Sequence, residues 1–191
     1  MISADCVNTQ STNGRNATPI AIIESARKVL GGIELDPSSD EVINRDVKAE
    51  RYYTLENNGF TQDWKARSVW LNAPGKSVSR GKQITASQWY RKLYRCWTTG
   101  SVENAIGLVY RSGSIGSLGE AILRQPICLT CAGSSSPVVN GSGRISFETI
   151  EGERRVPGVT NTQASLFFLL TRDPIIQAKF GQEFSQYGVV R

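Results

Sequence analysis

Apolar and polar positions along this chain fall into short, sharply bounded blocks, and each block predicts one element. Thr18-Pro19 precedes Ile20-Ala21-Ile22-Ile23, and the block closes at Gly31-Gly32. This predicts a helix of about three turns with the Thr18 hydroxyl as N-cap and Pro19 at the first helical position. Ile33-Glu34-Leu35 reads as a short strand stopped by Asp36-Pro37-Ser38-Ser39, a polar turn whose Ser39 caps a second helical stretch near Asp40 to Val47. Ser68-Val69-Trp70-Leu71 reads as a buried strand ending abruptly at Asn72-Ala73-Pro74-Gly75, because proline lacks the ladder donor and glycine favours turns. Residues 76 to 85 are basic and loop-like, after which Ala86 to Trp97 carries Trp89, Leu93 and Trp97 at helical spacing. Further blocks predict strands at Asn104 to Tyr110, Pro126 to Cys131 and Leu166 to Leu170, and helices at Ile115 to Leu123 and Pro174 to Ser185.

Strands alternating with helices imply an α/β domain with a mainly parallel sheet. The Gly/Ser/Pro-rich stretch 132 to 143, followed by a strand at Arg144 to Phe147, points to an antiparallel end. Residues 1–17, rich in Ser, Thr, Asn and Gln, read as a flexible N-terminal arm, and 18–191 as a single domain. A length of 191 residues with 39% hydrophobic positions suits one packed core. No apolar run approaches the roughly 20 residues that span a bilayer, so a cytoplasmic protein without a membrane partner is expected.

Composition narrows the chemistry. Histidine is absent, which excludes the Ser-His-Asp triad, the Cys-His pair and the HExxH zinc site. The four cysteines, Cys6, Cys96, Cys128 and Cys131, are too few and too scattered for a disulfide framework, and Cys128-x-x-Cys131 lacks a second ligand pair, so no metal is expected. Residues 64 to 102 hold 8 of the 22 basic side chains and none of the 17 acidic ones. That stretch is either a solvated face or a contact for phosphates, which Lys and Arg bind without regard to sequence.

Ligands of open parallel sheets bind beyond the carboxyl ends of the strands. Two such ends stand out, Asp36-Pro37-Ser38-Ser39 and Asn72-Ala73-Pro74-Gly75. By composition alone both are ordinary turn sequences.

The ordered series Thr18-Pro19, Leu35-Asp36-Pro37, Ala49-x-Arg51-Tyr52-Tyr53-Thr54, Asn58-Gly59-Phe60, Asp63-Trp64 and Val69-Trp70-Leu71-Asn72 resembles the phage-type DNA N6-adenine methyltransferase family. The likeness continues through Leu166 to Leu170 and Phe180-x-x-x-Phe184-x-x-x-Gly188-Val189, covering about residues 17 to 190. It implies a Rossmann-like S-adenosylmethionine methyltransferase fold that acts on the exocyclic amine of adenine in DNA. It further implies that Asn72, Ala73, Pro74 and Gly75 form the catalytic turn, with the Asn72 side-chain oxygen and the Ala73 carbonyl accepting the two amino N–H groups. Thr18, Pro19, Asp36, Pro37 and Ser38 would surround the methionine part of the cofactor and Asp63 its adenine. Lys76, Arg80 and Lys82 are expected on DNA phosphates, and Tyr110 is a candidate stacking partner for the base, as is Trp89, whose helical spacing fits a core aromatic better.

The family carries Asn/Asp-Pro-Pro-Tyr where this chain has Ala73 in place of the first proline and Gly75 in place of the aromatic residue. A relative that binds DNA or cofactor without transferring a methyl group is therefore the alternative. A methyltransferase for a small molecule or a protein is the third possibility.

Overall fold

The computed structural model describes residues 15–74, 76–79, 81–109, 115–116, 118–152, 154–160 and 162–191. Among these residues the main sheet has seven strands, in the spatial order 188–190, 127–130, 166–170, 102–109, 66–72, 35–36 and 51–52. The strands are β2 (Leu35–Asp36), β3 (Arg51–Tyr52), β4 (Ala66–Asn72), β7 (Val102–Val109), β8 (Ile127–Thr130), β11 (Leu166–Leu170) and β12 (Gly188–Val190). β3, β2, β4 and β7 run parallel, whereas β11 lies antiparallel between β7 and β8, and β12 closes the edge antiparallel to β8. The fold is thus mixed α/β with a largely parallel core and antiparallel edge, consistent with a generic Rossmann-like arrangement.

The pattern of the strands explains the layering. In β11 all five residues are buried, with Leu166, Phe168 and Leu170 in one core and Phe167 and Leu169 in the other. A strand covered on both faces needs no polar alternation. In β4, Val69 and Leu71 face the first core and Trp70 the second. Helix α3 (Ala86–Thr98) covers the first face through Trp89, Tyr90, Leu93 and Trp97. Helices α1 (Ile20–Leu30) and α5 (Pro174–Phe184) cover the second through Ile22, Ile23, Ala26, Val29, Phe180 and Phe184. Gly107 of β7 pairs with Phe168 of β11, and a Cβ there would lie 2.2 Å from the Phe168 ring. The bare glycine lets that ring cross β7 and meet Tyr90 edge-on at 5.6 Å.

Several expectations are corrected. Residues 76 to 85 do not form a loop: β5 (Lys76–Ser79) and β6 (Lys82–Thr85) form an antiparallel hairpin, anchored by buried Ser77, Ser79 and Ile84. The antiparallel edge of the main sheet comes from β11 and β12, not from the strand near Phe147. That strand is β9 (Ser146–Glu151), which joins β1 (Arg15–Ala17) and β10 (Arg154–Thr160) in a separate three-stranded sheet. Residues 15–17 of the supposed arm are therefore paired with β9, and residues 1–14 lie outside the described part. The first strand is Leu35–Asp36 rather than Ile33 to Leu35. Helix α2 (Glu41–Val47) is capped by Asp40, whose Oδ1 accepts from Val42 N and Ile43 N, not by Ser39. Pro19, not Thr18, is the N-cap of α1, and no side chain caps that helix. Around Ile115 to Leu123 the described helix α4 covers only Glu120–Leu123. Among the described residues no helix is long and apolar enough to cross a membrane.

Candidate functional site

From β2 the chain passes through α2 to β3 on one side, and from β4 it passes through the hairpin and α3 to β7 on the other. The carboxyl ends of β2 and β4 therefore border a topological switch point, where open α/β sheets form their ligand crevice. Strand parity decides which side chains reach it. Leu35 and Leu71 belong to the α3 face, so their neighbours Asp36 and Asn72 project toward the α1 face. Leu35 pairs with Val69, which sets Asp36 and Asn72 about 7 Å apart along the strands and about 5 Å across. Thr18, two residues before α1, meets Asn72 there: Asn72 Nδ2 donates to Thr18 Oγ1 at 3.1 Å. Thr18 is free for this contact because it does not cap α1.

Asn72 is the most unusual group of the site. Its Oδ1 is shut off from solvent and has no hydrogen-bond partner among the described residues. An unpaired buried acceptor costs about 1–3 kcal/mol, and native structures keep few of them. Ala73 is buried at 1% exposure in the core that holds Leu71 and Trp89, so side-chain packing holds the start of this turn.

Asp36 is the second. It is 2% exposed, and among the described residues it makes no ion pair. Burial pushes its carboxyl up from 3.8 to about 7, against the lowering effect of hydrogen bonds from Ser38 N, at 3.0 Å, and the Ser39 side chain, while the Asp40 charge adds to the rise. A carboxylate buried without a counter-charge is expensive and marks a functional candidate.

The segment between β3 and β4 supports the Asp36 turn. Gly59 abuts Pro37, where a Cβ would stand 2.0 Å from the Pro37 carbonyl oxygen. Trp64 Nε1 donates to Gly59 O at 2.8 Å, and the Trp64 ring packs on Trp89 at 5.9 Å. Trp89 itself is buried, donates to Ser77 Oγ at 3.2 Å and serves as a core residue. Tyr53 O accepts from Ser39 N at 3.0 Å, closing the other side of the turn.

The structure thus brings Thr18, Pro19, Asp36, Pro37, Ser38, Asn72, Ala73 and Pro74 to one end of the sheet. Asp63 is not part of this group: it is exposed and precedes the amino end of β4. Gly75, Arg80 and Tyr110 lie outside the described residues. Lys76 and the exposed Lys82 open the two strands of the hairpin that follows Asn72. Two other members of the basic stretch are engaged elsewhere. Arg67 binds Glu34 Oε2 at 3.2 Å near the amino end of β4. Lys92 is half-buried over the Trp64 ring at 4.7 Å, donates to the carbonyls of Phe60 and Gln62, and has its pKa lowered chiefly by burial.

Sequence reasoning misses Arg155 of β10. Its guanidinium donates to the Thr18 carbonyl at 3.2 Å, to Asp46 Oδ2 at 2.8 Å and to Glu148. No local signal marks it, because Thr18 is 137 positions away in the chain.

No family model, curated protein or solved structure matches this chain.

Proposed function

We propose that this chain is an S-adenosylmethionine-dependent methyltransferase acting on the exocyclic amine of adenine in DNA, with a Rossmann-like methyltransferase fold. The observation that carries the reading is the buried Asn72 Oδ1, without a partner among the described residues, at a switch point that also holds an Asp36 carboxyl with no ion pair among them. Bound S-adenosylmethionine supplies an electrophilic methyl group on a sulfonium and a free ammonium. The Asp36 carboxylate fits that ammonium, since a cation alongside it relieves the burial penalty that raises its pKa. Asn72 Oδ1 fits one N–H of an aromatic amine. Accepting that N–H, together with a second acceptor at the Ala73 carbonyl, draws the nitrogen lone pair out of the ring and toward the methyl carbon. Holding the two reactants in line contributes much of the remaining acceleration. None of these roles requires an imidazole, in keeping with a chain that has no histidine.

DNA as the partner is supported by Lys76 and Lys82 of the acid-free stretch 64 to 102, which sit on the hairpin directly after the catalytic turn. Phosphate contacts from such residues give affinity that falls steeply with salt.

One observation favours the alternative of a binding protein without transfer: Asn72 Oδ1 is closed to solvent, so a base reaches it only when the cover over it moves. Calorimetric titration with S-adenosylmethionine, followed by a methyl-transfer assay on DNA of mixed sequence, separates the two. Binding with turnover, lost by at least 100-fold in Asn72→Ala while cofactor affinity stays within a few-fold, supports transfer. Binding without turnover selects the alternative, and full transfer by Asn72→Ala refutes the role of that side chain.

A further inference from the structure

The β5–β6 hairpin is a two-stranded sheet separate from the main one, and two strands alone are marginal in water. Its docking is partly polar. Ser77 and Ser79 lie two apart on β5 and so share a face, and both are buried. Ser77 Oγ accepts from Trp89 Nε1 of α3 at 3.2 Å, and Ser79 Oγ is bonded to Asn58 Nδ2 at 2.9 Å. Turning the Asn58 amide over keeps a bond, because a hydroxyl donates as readily as it accepts. Apolar burial is non-directional, whereas a hydrogen bond weakens steeply at a poor angle, so these two contacts fix where the hairpin sits.

Asn58 stands on a firm base. Its backbone is left-handed, with φ +48°, a conformation that asparagine tolerates. Its N–H donates to Thr54 O at 3.1 Å, and its carbonyl accepts from Thr61 N at 2.9 Å. The next residue, Gly59, abuts Pro37, and beyond it Lys92 of α3 donates to the carbonyls of Phe60 and Gln62. Two neighbouring residues thus touch the hairpin and the Asp36 turn. Ser79 pairs with Lys82 across the hairpin, so the Asn58 contact lies at the level of that exposed lysine.

We infer that Asn58 is a positioning residue: by pinning Ser79 it holds Lys82 at a set distance from the Asp36 turn, so that a phosphate bound by the hairpin and a ligand seated at that turn keep one spacing. This inference rests on the proposed contact between Lys82 and DNA phosphates. It gives a role in DNA binding to a neutral side chain that need not touch DNA itself.

Two variants remove the bond from opposite sides. Ser79→Ala deletes the hydroxyl, and Asn58→Gly deletes the amide while keeping a residue suited to positive φ. Each lowers the slope of log DNA affinity against log salt by about 1, the change expected for Lys82→Ala, read by fluorescence anisotropy on a duplex of mixed sequence. Calorimetric affinity for S-adenosylmethionine stays within about twofold, and Ser79→Thr, which keeps the hydroxyl, retains the wild-type slope. In the Lys82→Ala background Ser79→Ala changes neither slope nor affinity further. Unchanged slopes in both variants, or a loss that adds in full to that of Lys82→Ala, overturn the inference. Backbone hydrogen exchange supplies a measurement that does not depend on DNA. Hairpin amides exchange about fivefold faster in Ser79→Ala and Asn58→Gly, the weight of one lost hydrogen bond, while those of β4 and β7 change by less. Hairpin amides that exchange no faster than in the wild type, or that speed up no more than those of β4 and β7, overturn the inference. If the wild type shows no salt-dependent binding to DNA, the proposed partner falls and the exchange data alone decide whether Asn58 pins the hairpin.

Discussion

Replacing Asp36 by Asn converts a titrating buried group into a neutral one of the same shape, and its effect on stability follows from the environment of that side chain. In the folded protein burial holds the carboxyl proton up to about pH 7, whereas the unfolded carboxyl releases it near 3.8. Between those values the folded state binds more protons, so stability is highest below about pH 4, falls as pH rises, and reaches its low plateau above about pH 7. At about 1.4 kcal/mol for each pH unit between the two values, the ionised carboxylate costs about 4 kcal/mol. The asparagine retains an acceptor for Ser38 N, which bonds Asp36 Oδ1 at 3.0 Å. The assay is urea unfolding of both proteins at half-unit steps from pH 4 to pH 8, read as the difference in free energy so that other titrating groups cancel. The difference should move by about 4 kcal/mol in favour of Asp36→Asn as pH rises through the window. Saturating S-adenosylmethionine should flatten the wild-type curve, because an ammonium beside the carboxylate lowers its pKa again. Two curves that stay parallel within about 1 kcal/mol would show that Asp36 ionises in the folded state as it does in the unfolded one, and the burial argument would fail.

Three other changes test the scaffold and the partner. Gly59→Ala forces a Cβ toward the Pro37 carbonyl, for which the available separation is 2.0 Å, and should destabilise the protein by about 1–3 kcal/mol in urea while weakening cofactor binding. Arg155→Ala leaves Asp46 and Glu148 without their shared cation in a partly buried setting; a loss of about 1–3 kcal/mol is expected, and a loss within 0.5 kcal/mol would mean that water replaces the guanidinium. Lys82→Ala should weaken binding to DNA of any sequence and lower the slope of log affinity against log salt by about 1, as measured by fluorescence anisotropy. An unchanged slope would remove Lys82 from the phosphate contacts.

The elements most legible in the sequence were those whose fate is set locally. The Leu166 to Leu170 run reads as a strand, the Trp89, Leu93 and Trp97 spacing reads as a helix, and the polar turns after Leu35 and Leu71 marked strand ends beside a ligand crevice. The hairpin of residues 76 to 85 was not legible, because Ile84 is its main apolar anchor and the polar Ser77 and Ser79 are buried beside it. The capping of α1 was misread for a related reason. A threonine before proline has the local form of an N-cap, yet its hydroxyl is claimed by Asn72, 54 residues further on.

Short-range preferences and the two kinds of hydrophobic period are written into neighbouring residues, so sequence alone determined the approximate positions of β4, β7, β8 and β11 and of α1, α3 and α5, and that the turns after Leu35 and Leu71 face the crevice. Which polar groups remain without partners is a property of atoms brought together from distant segments. Only the tertiary structure could decide that, among the described residues, Asp36 lacks a cation and Asn72 Oδ1 a partner, and that Arg155 reaches back to hold Thr18.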